Sequence, residues 1–98
     1  MYVVRDVFNC KPGQSKAVAD KFKAALPMMK PMPGFISGRI LIDAVGSYWT
    51  VVLEMEVESL AMYEKQMTEY SSSEKMREVL KGYMDLIDGG YREIFKIV

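Results

Sequence analysis

The stretch that decides the fold is FISGRILIDAVGSYWTVVLEMEV, residues 35–57. Its two halves, 35–44 and 48–57, are rich in β-branched and aromatic residues, which favour strands. Gly46-Ser47 lies between them, and glycine at the first central position suits a two-residue type II′ turn. The stretch therefore predicts a β-hairpin.

That turn also predicts the register, with Val45 opposite Tyr48 and Arg39 opposite Glu54. One hairpin face is then apolar or small throughout, with opposed pairs Ile36–Val57, Gly38–Met55, Ile40–Leu53, Ile42–Val51 and Ala44–Trp49. The other face is mixed, with pairs Ser37–Glu56, Arg39–Glu54, Leu41–Val52 and Asp43–Thr50. A slip of one residue would mix both sets, so the pattern favours this register.

Toward the N-terminus the pattern predicts a strand and then a helix. Residues 2–10 are rich in β-branched and aromatic residues and end at the turn sequence Lys11-Pro12-Gly13. Residues 14–26 have the apolar spacing of a helix, which we end near Pro27 because proline cannot donate a helical hydrogen bond. Residues 27–34, with three prolines and a glycine, predict a loop.

Toward the C-terminus the pattern predicts a helix in two pieces and a last strand. Ser59 is a suitable N-cap for the first piece. Ser71 as N-cap with Glu74 at the third helical position fits a capping box that restarts the helix. Gly89-Gly90 is expected to stop it, and residues 91–98, YREIFKIV, read as the final strand.

The resulting order, β-α-β-β-α-β, predicts an α+β domain of the ferredoxin-like type over residues 1–98. Right-handed crossovers give a four-stranded antiparallel sheet with helices on one face. The apolar hairpin face should lie under those helices. The opposite face, expected to carry Phe35, Leu41, Tyr48 and Val52, is either solvated or covered by a second copy of the chain.

Composition limits the classes of function. The 13 basic and 13 acidic residues balance, which argues against nucleic-acid binding. No run approaches the roughly 20 apolar residues that span a bilayer, and the N-terminal residues do not resemble a signal peptide. With Cys10 as the lone cysteine, these features predict a cytoplasmic protein. The chain has no histidine, so we expect no metal and no cofactor.

At this point the chain resembles the dimeric α/β-barrel superfamily, which includes antibiotic-biosynthesis monooxygenase-like, NIPSNAP-like and stress-responsive barrel proteins. The resemblance spans nearly the whole chain. It depends on Lys11-Pro12-Gly13, Pro33-Gly34-Phe35 and Val57-Glu58-Ser59-Leu60, which are turn and cap motifs that indicate fold better than activity. It implies a homodimer through the sheet faces, so that two sheets form a barrel.

Activities within the superfamily differ. Some members oxidise polycyclic aromatics without a cofactor, others degrade haem, and many have no known activity. The haem-degrading members use an asparagine on the first strand with a tryptophan and a histidine on later helices. Here Asp6 lies near the asparagine position, Trp49 opens a strand and histidine is absent, so haem degradation is not expected.

The candidate ligand-binding residues are Asp6, Phe8, Arg39, Tyr48 and Glu54. Alternation on the first strand leaves open which of its faces lines the pocket, and the resemblance favours the face with Asp6 and Phe8. A carboxylate such as Asp6 or Glu54 in an enclosed pocket could act as a general base. The Arg39–Glu54 pair is equally explained as an ordinary cross-strand ion pair.

Two classes of function therefore remain. One is a cofactor-independent monooxygenase acting on an apolar or aromatic small molecule. The other is a non-catalytic, stress-related or structural binding dimer. An enclosed pocket lined by Phe8, Tyr48 and an ionisable group would favour the first. A filled interface with Arg39 and Glu54 fully paired would favour the second.

Overall fold

The computed structural model describes residues 1–98 and has the predicted order of elements. The strands are β1 (Tyr2–Cys10), β2 (Phe35–Ile42), β3 (Thr50–Val57) and β4 (Ile87–Lys96). The helices are α1 (Ser15–Met29), α2 (Leu60–Ser72) and α3 (Glu74–Leu80), with a 3₁₀ helix at Tyr83–Leu86. The strands form one antiparallel sheet in the order β2-β3-β1-β4. With its helices on one side, the fold is α+β and ferredoxin-like.

The predicted hairpin register is confirmed from Ser37–Glu56 to Ile42–Val51, with Arg39 opposite Glu54. The predicted two-residue turn is wrong, because β2 ends at Ile42 and β3 begins at Thr50. The backbone N–H of Thr50 instead donates to Asp43 Oδ1 at 3.0 Å, and that of Asp43 donates to the Thr50 carbonyl at 3.3 Å. These bonds close a longer loop without changing the register.

The strain in this loop lies at aromatic residues rather than at glycine. Gly46 does not have the positive φ that a type II′ turn requires, whereas Tyr48 has φ 66° and Trp49 has φ 55°. A left-handed conformation costs roughly 1–2 kcal/mol for each such residue, because Cβ approaches the following carbonyl oxygen. Two adjacent aromatic residues are therefore held in an unfavourable backbone conformation.

Phe35 lies on the opposite face from the one predicted. A register shift between Phe35 and Ser37 places Phe35 across from Val57. Its ring packs against the hydrophobic core, and Ile36 is exposed instead. A β-bulge of this kind inserts one extra residue, so the side chains before it point to the opposite face of the sheet. The predicted Ile36–Val57 pair is therefore wrong, and Phe35 is absent from the uncovered face.

Three predicted helix boundaries shift. Helix α1 continues through Pro27 to Met29, because a proline in the last turn forfeits one hydrogen bond while Met29 is fully buried. Ser73 caps α3 by accepting from the Met76 N–H at 3.2 Å, so Ser71 is not the cap. Helix α3 ends at Leu80 and not at Gly89-Gly90 as predicted, and Gly82 adopts a positive φ of 86° just after it.

Gly89-Gly90 does not end a helix but lies inside β4. A Cβ on Gly90 would lie 2.2 Å from the Val7 carbonyl oxygen, so glycine allows the close approach of β4 to β1. The final strand consequently begins at Ile87, earlier than predicted.

The core lies between the sheet and its helices. We call this side of the sheet the inner face; it carries Val4, Asp6, Val51, Leu53 and Met55. All five are buried, and the four apolar ones pack against α1 residues such as Phe22. The opposite side, with Val3, Arg5, Leu41, Val52 and Glu54, is the outer face. Leu53 is buried on the inner face and Arg39 lies exposed on the outer face, as the predicted register requires.

Candidate functional site

Strand β1 places alternate residues on the two faces of the sheet. Val4, Asp6, Phe8 and Cys10 lie on the inner face, where Asp6 is opposite Leu53 of β3 and Arg92 of β4. Arg5 lies on the outer face, opposite Glu54 and Glu93. The face carrying Asp6 and Phe8 is therefore the one beneath the helices.

A cavity of about 400 Å³ lies between the inner face and the helices. Its wall is mostly hydrophobic, with contributions from both central strands, α1, α2, the 3₁₀ helix and β4. Asp6, Arg92 and the tyrosines Tyr70 and Tyr83 are its polar side chains. The apolar wall includes Phe8, Phe22, Met29, Leu53, Met55, Met67 and Met84. A mostly apolar cavity of this size with a few polar groups is typical of small-molecule sites.

Three aromatic rings form one side of the cavity. Phe8 stacks on Phe22, with ring centroids 4.8 Å apart and an interplanar angle of 21°. Tyr83 meets both rings edge-on, at 6.1 Å from Phe8 and 5.4 Å from Phe22. These geometries are the favourable ones for aromatic pairs. The cluster gives the cavity an aromatic wall.

The polar end of the cavity is an ion pair between Asp6 and Arg92. The Arg92 Nε–H donates to Asp6 Oδ1, and Nη2 lies 3.4 Å from Oδ2. Only 10% of the Asp6 side chain is exposed, against 49% for Arg92. The hydrogen bond to Asp6 raises the pKa of Arg92. The guanidinium carbon also lies 5.6 Å from the ring centroid of Tyr63, a cation–π distance.

Two tyrosines beside this pair are held neutral. Burial raises the pKa of Tyr63, with Arg92 opposing and Asp6 adding to the effect. Burial raises the pKa of Tyr70 well above its ordinary value, and the neighbouring Tyr83 and Asp6 raise it further. The Tyr63 hydroxyl is buried and has no hydrogen-bond partner. Both phenols are thus available as hydrogen-bond donors rather than as bases.

The outer face carries a row of alternating charges that crosses all four strands. Arg39 of β2 lies 2.6 Å from Glu54 of β3, which lies 3.3 Å from Arg5 of β1. Arg5 in turn lies 3.8 Å from Glu93 of β4. We call these four residues the charge ladder. It has no net charge, and the buried Arg5 Nε makes no well-aligned hydrogen bond.

The structure thus separates the five residues that the sequence nominated. It brings Asp6 and Phe8 together in the inner cavity. Arg39 and Glu54 lie on the outer face, and Tyr48 is in the exposed loop after β2. The predicted set is therefore not one constellation, and its role in binding stays a prediction.

Sequence reasoning missed Arg92, Tyr70 and Tyr83. Arg92 meets Asp6 because strands β1 and β4 pair so that the two residues are opposite each other. The register between two strands separated by most of the chain could not be read without a connecting turn. The tyrosines share helical spacing with core residues, so nothing distinguished them from packing residues.

Two further features bear on function. No three carboxylate or thiol groups lie close enough together to hold a metal ion. None of the helices is both long and apolar enough to cross a membrane.

Comparison with known proteins shows the fold. Neither a protein-family model nor a curated protein sequence matches the chain. Among solved structures, a NIPSNAP-like domain protein from Burkholderia xenovorans has a TM-score of 0.83 at 16% identity, over 99% of this chain and 84% of that one. A NIPSNAP family protein from Agrobacterium tumefaciens has a TM-score of 0.80 at 11% identity, covering 99% and 92%.

A third similar structure carries an enzyme's name. An antibiotic biosynthesis monooxygenase superposes with a TM-score of 0.76 at 13% identity, over 100% of this chain and 99% of that chain. Identities this low establish the arrangement of elements and leave activity open. The chain has the fold shared by antibiotic biosynthesis monooxygenase-like and NIPSNAP-like proteins, as its turn motifs indicated.

Proposed function

We propose that this chain binds an apolar or aromatic small molecule in the inner cavity. The observation that supports this most is the cavity itself, about 400 Å³ of mostly hydrophobic space that ends at the Asp6–Arg92 pair. The stacked rings of Phe8 and Phe22 provide a flat wall for an aromatic ligand. Arg92 retains N–H groups beyond those facing Asp6, and these can hold an oxygen atom of the ligand.

The reaction that we propose is oxygenation of the ligand without a cofactor. In such a reaction a substrate CH₂ group next to a carbonyl or phenol loses a proton to solvent, the carbanion supplies electrons to O₂, and the proton is returned in the water that forms. CH₂ and O₂ become C=O and H₂O, with all four electrons supplied by the substrate. Arg92 would stabilise the negative charge on the substrate oxygen, because a positioned guanidinium attracts an anion and donates hydrogen bonds to it.

The alternative is a non-catalytic, stress-related or structural binding dimer. One observation favours it: neither nominated carboxylate is free to act as a base. Asp6 is engaged by Arg92, and Glu54 is engaged by both Arg39 and Arg5. An ion-paired carboxylate that already accepts hydrogen bonds has less capacity to accept a substrate proton.

The partner that we propose for the outer face is a second copy of the chain. Tyr91 and Phe95 of β4 lie on this face and are more than half exposed, at 56% and 51%. They flank the charge ladder, whose equal numbers of arginine and glutamate suit a surface that must complement itself across a two-fold axis. Pairing through this face would give the dimeric barrel, with homodimer formation burying on the order of 2,000 Å² in total.

The cavity claim is tested by binding of tricyclic phenols and ketones to the wild-type chain and two matched variants. Met67→Trp fills the cavity from α2, whereas Leu60→Trp adds the same bulk to an exposed position of that helix outside the cavity. We expect Met67→Trp to weaken binding by at least about tenfold and Leu60→Trp to leave it unchanged. Equal binding by all three proteins would contradict the cavity as the site.

The reaction claim is tested separately by oxygen uptake and product mass. A monooxygenase consumes O₂ and yields a product that has gained one oxygen and lost two hydrogens. Saturable binding without oxygen consumption across the panel would support the non-catalytic alternative. If no compound of the panel binds, both the oxygenase proposal and the non-catalytic binding alternative are contradicted.

A further inference from the structure

A second hollow lies at one end of the outer face, away from the inner cavity. The residues that line it include Tyr48 and Trp49 from the loop after β2, Asn9 of β1, and Asp88 and Tyr91 of β4. We call it the aromatic hollow; its volume is about 640 Å³. It lies four residues beyond Arg5 along β1, or about 13 Å from the charge ladder at the rise of a strand.

The three aromatic residues of this hollow are unusually exposed. Tyr48 is 81% exposed, Tyr91 56% and Trp49 41%. Tyr48 and Trp49 are also the two non-glycine residues held at positive φ. Strained backbone and exposed aromatic surface are both unfavourable for a free chain, and both are found where a surface receives a ligand.

The charge in the hollow is negative. Asp88 lines it without an ion-pair partner, and no lysine or arginine is among the lining residues. Asp43, at the start of the same loop, adds a second negative charge nearby. Both carboxylates act on Cys10 in the hollow's wall, where burial first and then Asp43 and Asp88 raise the pKa of the thiol.

Aromatic faces and carboxylates attract one class of ligand in common. The face of an aromatic ring is electron-rich, so tryptophan and tyrosine bind cations that are poorly hydrated. A carboxylate beside them adds attraction over a longer range. From this combination we infer that the aromatic hollow binds a small organic cation with a methylated ammonium group. The inference does not depend on the cavity ligand, whereas Tyr91 belongs both to the hollow and to the face proposed for the second copy.

The test uses choline as the probe and Trp49, the sole tryptophan, as the reporter. The full chain is titrated at constant ionic strength while tryptophan fluorescence is recorded. The matched probe is 3,3-dimethylbutan-1-ol, which has the shape of choline with carbon in place of nitrogen and no charge. We expect saturable binding of choline and binding at least about tenfold weaker for the neutral analogue.

Variants locate the site. Asp88→Asn and Tyr48→Leu should each weaken choline binding by about three- to tenfold, since each removes one source of attraction. Glu78→Gln removes an exposed carboxylate from α3, on the helical side of the sheet, and should leave the affinity unchanged. Circular dichroism confirms that each variant is folded. Equal affinity for the neutral analogue, an unaffected Asp88→Asn variant, or a response that does not saturate would overturn the inference.

Discussion

The two faces of the sheet are built from the same four strands but differ in polarity and in what they pack against. The inner face encloses a mostly apolar cavity with one ion pair, Asp6–Arg92, at its edge. The outer face has four charged side chains in a continuous ladder, with large apolar residues beside them. A lone ion pair in an apolar wall suits a specific polar contact with the ligand that we propose. Alternating charges on an open sheet provide a pattern that a second copy can match.

The difference arises from the alternation of side chains along single strands. On β1, Asp6 points to the cavity and its neighbour Arg5 points to the ladder. On β4, Arg92 likewise lies on the cavity side, and its neighbour Glu93 lies in the ladder. Because neighbouring residues serve different faces, substitutions at adjacent positions can test the two faces independently.

The largest expected contrast is between phenylalanines on the two faces. Phe22, which is 2% exposed and stacked on Phe8, packs against the inner face, whereas Phe95 lies on the outer face. Phe22→Ala should lower the free energy of unfolding by about 3–5 kcal/mol, because it removes buried area and leaves a cavity. Phe95→Ala should lower the free energy of unfolding of the isolated chain by less than about 1 kcal/mol. Urea denaturation measures both, and equal losses would contradict the assignment of the core to one face.

The next contrast concerns the ion pair in the cavity wall. Asp6→Asn removes the charge that balances Arg92 and should lower the free energy of unfolding by about 1–3 kcal/mol, the cost of an unpaired polar group that is partly buried. Adding Arg92→Met should recover part of the loss, because both charges are then gone. A double-mutant cycle by urea denaturation gives the coupling energy. Strictly additive losses would show that the pair does not act as a unit.

The dependence of stability on pH should also identify the inner face. Burial raises the pKa of Tyr70 in the folded chain, so above about pH 10 the unfolded chain releases a proton that the folded chain retains. The free energy of unfolding should therefore fall as pH rises, with a limiting slope near 1.4 kcal/mol per pH unit for one tyrosine. Tyr70→Phe should flatten this fall, and an unchanged profile would place Tyr70 in water.

The smallest expected effect on folding belongs to the ladder. Arg39→Glu puts two carboxylates opposite each other and should cost the isolated chain about 1 kcal/mol or less, since this edge is exposed. It should also weaken pairing of two copies. Adding Glu54→Arg restores that pair but places a positive charge next to Arg5, so it should recover little. Full recovery of stability and dimerisation would indicate an isolated ion pair instead of a ladder.

The sequence predicted the hairpin register better than the turn that suggested it. The register depends on sorting of apolar residues over many positions, which tolerates a local error. The turn depends on one dipeptide, and bonds between Asp43 and Thr50 override it. Pro27 and Gly89-Gly90 show the same limit. Helix α1 continues past Pro27 because Met29 is buried in the core. Gly90 is required by the close approach of β4 to β1, and it does not end a helix.

The candidate site was harder to predict than the fold, for a physical reason. Alternation puts Asp6 and Phe8 on one face of β1 but does not say which face lines a pocket, and the family resemblance favoured theirs. Grouping them with Arg39, Glu54 and Tyr48 required knowledge of which face the helices cover at each strand. Arg92, 86 positions from Asp6, meets it only through pairing of the first and last strands. Interactions at that separation have no local signature in the sequence.

Native mass spectrometry of the untagged protein, incubated with a tricyclic phenol, tests the assignment of the two faces in one measurement. The mass reports how many copies of the 11.2 kDa chain associate and how many ligands they hold. We expect two chains with up to two ligands, and loss of the ligands but not of the dimer in Met67→Trp. A single chain at every concentration, or a dimer that holds no ligand, would contradict the account.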